Sequence, residues 1–190
     1  MWHKKNISLA ARASMDIVKK YSRRETESLD DIEIYLQGRV FHVTRLAYLS
    51  SIVECGEIRP NSDGALPTTF GSSNNAFFRN RNCVSLFDYR PEPTDEIKDF
   101  RLRCYPFRPA FPPNGAIAIL ILRPAAYETL IPWTKWKDEN VLSEMVVPHV
   151  EAGYQGPLPL RLVEEIISIE ITEDTQSLAA QLRKTHETLF

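Results

Sequence analysis

The spacing of apolar and polar positions divides the chain into runs with helical period and runs that alternate. Residues 7–21 place Ile7, Leu9, Ala10, Ala13, Ile17 and Val18 three or four apart, which predicts an amphipathic helix beginning near Ser8. The charged stretch SRRETESLDD after it reads as a solvated connection. Val40-Phe41-His42-Val43-Thr44 is β-rich and follows the turn signal Gln37-Gly38, so a short strand is predicted there. Leu46, Leu49, Ile52 and Val53 return to helical spacing, and Gly56 stands where a helix end favours a residue tolerant of positive φ.

Further strands are predicted over 83–87, 116–122, 144–147 and 164–171, a short helix over 125–130, and a helix in the tail over 174–189. The 116–122 run is the most apolar and belongs at the centre of a sheet. PEPTDEIKD leads away from the 83–87 strand, and four prolines between Tyr105 and Pro113 forbid a regular element there. Five or six strands mixed with three or four helices give an α+β pattern.

The chain has 190 residues, which sets a single domain as the expectation: an N-terminal helical extension over 1–32, a core over 33–172 and a C-terminal helix over 173–190. Proline outnumbers glycine, 13 to 7, and every proline lies between Pro60 and Pro159. Turns and stiffened loops are therefore concentrated in the middle of the chain. The 59–81 connection, rich in Asn, Ser, Gly and Thr, is long for a compact domain, and such loops usually carry function.

The longest aliphatic run, 116–122, is far short of the roughly 20 residues needed to cross a bilayer. No signal-peptide h-region follows Lys4 and Lys5. Cys55, Cys83 and Cys104 are odd in number and never form C-x-x-C, which points to a reducing cytoplasm. A net charge of −2 gives no global attraction to nucleic acid, although a local basic patch is compatible with it. G-x-G-x-x-G, the P-loop and G-x-S-x-G are all missing, and His3, His42, His149 and His186 have no metal-ligand spacing, so no metal is expected.

Three groups of residues could carry chemistry. His42 and Thr44 share one face of a strand, where an imidazole and a hydroxyl could hold a ribose or phosphate; a half-buried histidine beside a β-branched neighbour gives the same pattern. Glu144 opens the apolar run Met145-Val146-Val147-Pro148, and a carboxylate projecting from a sheet lip into a cleft can stabilise an oxocarbenium ion. Glu151 is the rival carboxylate, and an exposed edge glutamate is the plainer reading of Glu144. Phe77-Phe78-Arg79-Asn80-Arg81, with Tyr89-Arg90 beyond, offers aromatics to stack on a heterocycle and arginines to neutralise phosphates; a loop pinned by buried phenylalanines would look alike.

In order along the chain, these features resemble the ADP-ribosyltransferase superfamily, most nearly its bacterial DNA-modifying toxins. The resembling residues are Phe41-His42-Val43-Thr44, then Leu49-Ser50-Ser51-Ile52-Val53-Glu54-Cys55-Gly56-Glu57-Ile58, then Ser143-Glu144-Met145-Val146-Val147-Pro148, with Pro159 to Ile171 similar to the closing segment. These stretches amount to 33 of the 190 residues.

The resemblance implies a split α+β core of two small, mainly antiparallel sheets opening onto an NAD cleft. His42 would contact the adenosine ribose, Thr44 would support the nicotinamide end, and Phe78, Ser85 and Tyr89 would complete the NAD contacts. Glu144 would stabilise the oxocarbenium ion, helped by Arg79 or Arg81, so His42 and Glu144 are expected to face one cleft. Trp133, Lys135, Trp136 and Lys137 would form a substrate-recognition loop suited to nucleic acid. The 84–90 segment lacks the S-T-S run of the arginine-modifying branch, so protein is the less favoured acceptor. A toxin or phage-defence effector with a cognate antitoxin is the implied setting. A non-catalytic binding module on the same fold and a hydrolase or nuclease are the alternatives.

Overall fold

The structure, a computed structural model, describes residues 18–71, 73–112, 115–176 and 181. Its elements are β1 (Val18–Arg24), α1 (Asp30–Leu36), β2 (Val40–Arg45), α2 (Leu49–Cys55), β3 (Glu57–Ile58), α3 (Phe77–Asn80), β4 (Cys83–Asp88), α4 (Asp95–Arg103), β5 (Ile117–Leu122), β6 (Leu130–Pro132), α5 (Thr134–Glu139), β7 (Glu151–Gln155), β8 (Leu158–Pro159) and β9 (Val163–Thr172). Seven strands form one sheet in the order β1-β9-β5-β2-β4-β7-β6, and β3 pairs with β8 separately. Every pairing is antiparallel except β1 with β9. The class is α+β, with one long sheet and a two-stranded ribbon where two small sheets were expected.

β5 explains why the sheet is covered on both faces. All six of its residues are buried, Ile117, Ile119 and Ile121 in one core and Ala118, Leu120 and Leu122 in the other. A strand apolar on both faces must lie inside a sheet with cover on each side, as its sequence predicts. Residues 40–44, the 46–55 helical region and its Gly56 stop also form as predicted, with Gly56 at φ 75°.

The sheet is weakest between β2 and β4. β2 pairs with β5 over five positions and β4 with β7 over five, but β2 meets β4 only at Val40↔Asp88 and Phe41↔Phe87. Beyond Phe41 the strands part, and the His42 Nδ1 hydrogen-bonds the Ser85 carbonyl across the gap at 3.0 Å. Backbone edges that leave a ladder inside a sheet require other partners, which makes this seam a natural place for a ligand.

Several elements differ from expectation. Of the helix predicted over 7–21, residues 18–21 belong to β1, and the rest lies outside the described residues. Pairing with a strand some 150 residues away overrides local period: Val18 meets Ile166 and Arg24 meets Thr172, while Lys19 bonds Glu165 at 2.9 Å. SRRETESLDD contains the end of β1 and the start of α1, whose Ile32 and Leu36 are fully buried and whose first turn carries Asp30, Asp31 and Glu33. PEPTDEIKD contains the start of α4, capped by Thr94 accepting from the Ile97 N–H. Residues 125–130 form a 3-10 helix, Pro124–Thr129, leading into β6.

The predicted strand over 144–147 is not formed. Among the described residues its only sheet-like contact is an isolated bridge from Met145 to Ala76, and the strand in this part of the chain is β7 instead. Asp174–Gln176 are not helical, and the rest of the predicted tail helix lies outside the described residues except residue 181.

Candidate functional site

A cavity of about 360 Å³ opens where β2 and β4 part. His42 and Thr44 enter it from β2, Ser85 from β4, Glu151 from the start of β7, Ser51 and Cys55 from α2, and Arg79 from α3. The long 59–76 connection closes one side with Arg59, Pro60, Pro67 and Phe70. Its volume and its mixture of apolar wall with a few converging polar groups match small-molecule sites.

His42 is half-buried, and burial holds its pKa below the usual histidine value against the opposing pull of the Ser85 carbonyl. The neutral ring donates from Nδ1 to that carbonyl, which leaves Nε2 as an acceptor. Thr44, only 5% exposed, lies on the same face two residues on.

Glu151 opens β7 opposite Phe87. Burial pushes its carboxyl up to about 7, although the Val147 N–H, donating to Oε2 at 2.6 Å, favours the charged form. A carboxylate poised near neutrality in a cavity wall is a mark of functional sites. Cys104 lines the same cavity, and its thiol is pushed up to about 12 by burial, with the Glu151 charge adding to the effect; burial also raises the Cys83 thiol. Both sulfurs are neutral thiols at pH 7 and poor nucleophiles.

Arg79 organises the loop over the cavity. Its Nε donates to the Asn61 carbonyl at 2.6 Å, and its Nη1 to Ser73 Oγ at 2.9 Å and Asn74 Oδ1 at 3.1 Å. Asn61 in turn brackets the loop by bonding the Leu66 N–H and carbonyl through its side chain. Phe70 leans on Phe87 with ring centroids 5.7 Å apart.

The remaining sequence-predicted residues stand elsewhere. Glu144 does not line the cavity: it pairs with Arg81 and accepts from Asn80 Nδ2 at 3.1 Å. Arg81 also stays outside, with its guanidinium 3.6 Å from the Phe77 ring centre, bonded to Glu139 at 2.5 and 2.9 Å. Burial disfavours the Arg81 charge, but the bonds to Glu139 and Glu144 outweigh it and raise its pKa. Of the two arginines, the geometry therefore puts Arg79 in the site.

Phe78 and Tyr89, expected to stack on a ligand, are core residues. Phe78 packs on the bare backbone of Gly153, where a Cβ would lie 2.3 Å from its ring. Tyr89 is fully buried beneath Arg101 and edge-on to Phe41. Trp136 ties its Nε1 to the carbonyls of Val141 and Glu144, Trp133 packs on His149, Lys135 pairs with Glu139 at 3.7 Å, and Lys137 is exposed. Trp136 is a packing anchor beside the small core of Phe77, Phe78 and Cys83, and Trp133 is half-buried against His149.

The sequence named Glu151 only as a rival, quoted Ser51 without a role, and passed over Arg59 and Phe70 as site residues. Glu151 stands in a run, Glu151-Ala152-Gly153-Tyr154-Gln155, with no clear alternation to mark it as a strand, and the others carry no local signal. Among the described residues no three His, Cys, Asp or Glu cluster to hold a metal, and no helix is long and apolar enough to cross a membrane. Comparison with protein-family models, curated proteins and solved structures finds no match.

Proposed function

We propose that the protein is an NAD-dependent mono-ADP-ribosyltransferase that binds NAD in the seam cavity and uses Glu151, rather than Glu144, as its key carboxylate. The observation that carries this reading is the presence of His42, Thr44, Ser85 and Glu151 in one cavity where β2 and β4, antiparallel neighbours in the sheet, part. The reading takes the gap between β2 and β4 for the NAD cleft that the resemblance implies, within one long sheet in place of the two small ones expected, and it moves the carboxylate seven residues along.

In the proposed step the C–N glycosidic bond of the nicotinamide riboside breaks, and its electron pair leaves with neutral nicotinamide. Positive charge develops on the ribose C1 and its ring oxygen. The ionised Glu151 stabilises that charge and accepts a hydrogen bond from a ribose hydroxyl. His42, neutral and held by Ser85, offers Nε2 to the other ribose, and Arg79 keeps the 59–76 loop shaped around the ligand. An acceptor nucleophile then bonds to C1 and releases a proton to solvent. Nucleic acid is the acceptor favoured by the resemblance, with protein second, and a toxin or phage-defence role with a cognate antitoxin is part of the same proposal.

The test is transfer of label from NAD to single-stranded DNA, duplex DNA, RNA or lysate protein by wild type, Glu151→Gln and His42→Ala. Labelling by wild type and not by Glu151→Gln is expected. No NAD binding by the wild type would overturn the reading. Binding to nucleic acid without NAD turnover would favour a non-catalytic module.

A further inference from the structure

Glu144, outside the cavity, sits three residues before the backbone N–H that holds Glu151. Val147 makes a two-way contact with Glu151: its N–H donates to Oε2 at 2.6 Å, and its carbonyl accepts from the Glu151 N–H at 3.0 Å. The position of Val147 thus fixes both the backbone entering β7 and the side chain of its first residue.

The 141–147 segment has no helix or ladder to place it. Leu142 and Met145 are 82% and 65% exposed, so much of its apolar surface remains in water, although Val146 and Val147 touch the cores. Polar ties do the rest. The Met145 N–H donates to the Asn75 carbonyl at 2.8 Å, and the Met145 carbonyl accepts from Phe77 at 2.9 Å. The Trp136 indole bonds the Val141 and Glu144 carbonyls. At the centre, the Glu144 carboxylate is shared by Arg81 and Asn80, while Arg81 is itself fixed by the Phe77 carbonyl, the Phe77 ring and Glu139. Charge-assisted bonds to a guanidinium held on three sides are the strongest of these ties.

We propose that the Arg81–Glu144 pair is a positioning device for Glu151: it anchors the segment that carries the Val147 N–H and so keeps the Glu151 carboxylate oriented and ionisable in the cavity. The catalytic meaning of this device rests on the transferase reading; its physical action does not. The titratable and charged groups that line the cavity with Glu151 are His42, Tyr48, Glu57, Arg59, Arg79 and the three cysteine thiols, and neither Arg81 nor Glu144 is among them. An effect of Arg81 or Glu144 on Glu151 therefore passes through the segment between them.

The test is the side-chain titration of Glu151, read by NMR on protein carrying ¹³C-labelled glutamate and assigned by loss of the resonance in Glu151→Gln. Wild type is expected to titrate near 7. Glu144→Gln, which keeps its shape and a neutral acceptor, and Arg81→Ala should each shift the titration upward by about half a pH unit or more as the N–H is lost. The double variant should shift no further than the larger single one, because both changes break the same tie. Should Arg81→Ala fail to fold, Glu144→Gln alone decides. An unchanged Glu151 titration in folded Glu144→Gln overturns the proposal whether or not NAD is consumed. A shifted titration in a protein that never turns over NAD upholds the positioning role and overturns the transferase reading instead.

Discussion

At the scale of single residues, the account rests on Glu151 and His42. The Glu151 carboxyl lies near 7 in the folded chain against an ordinary value of 4.5, so the folded state binds the extra proton between those values. Its contribution to stability is complete below about pH 4.5 and is lost as pH rises through 7. Glu151→Gln, which cannot ionise, should therefore be more stable than wild type above pH 7, by on the order of 1–3 kcal/mol, and near it at pH 4–5. Thermal melts across pH check this. In the proposed mechanism activity runs the opposite way: kcat/KM for NAD should rise with pH through an acid limb near 7, because the proposed step uses ionised Glu151. A flat profile between pH 6 and 8 would count against that carboxylate.

At the scale of elements, the loop over the cavity depends on one side chain and β7 on one glycine. Arg79→Ala removes three hydrogen bonds from the 61–74 loop, and limited proteolysis should cut there at least several-fold faster, with KM for NAD rising more than kcat falls. Unchanged cleavage would show that the loop is held by Phe70 and its own turns. Gly153→Ala drives a Cβ into Phe78 at the β4–β7–β6 junction and should cost about 1–3 kcal/mol in denaturant unfolding.

These elements also show what the sequence could reveal. β5, β2, β4, β9 and the helix stopped by Gly56 were readable because their burial pattern is strong and local. β1 was not, since its strand character comes from distant β9, and α1 was hidden because a charged stretch masks its two buried apolar positions, Ile32 and Leu36. At the site, His42, Thr44 and Ser85 could be picked out by type and order, and Arg79 only as one of a pair with Arg81. That Glu151 and not Glu144 lines the cavity turned on where a loop ends and a strand begins, which is the least local property of a β segment.

At the scale of the whole molecule, the long sheet is two blocks joined at a seam of two residue pairs, with the cavity in the gap. A ligand there would touch both blocks and should stiffen the join. Cys55 is exposed and lines the cavity, so NAD at saturating concentration should slow its alkylation several-fold, readable by mass spectrometry. Cys104 and Cys83 should stay slow throughout because burial keeps both as thiols. The proline excess fits this arrangement, for Pro60 and Pro67 stand in the cavity wall on the loop that links the blocks. The account is tested most directly by the rate of nicotinamide release from NAD at pH 8, with wild type, Glu151→Gln and Glu144→Gln measured side by side. The predicted result is turnover by wild type, a loss of about 100-fold or more in Glu151→Gln, and a smaller loss in Glu144→Gln. Equal rates for wild type and Glu151→Gln, or a loss confined to Glu144→Gln, would contradict it.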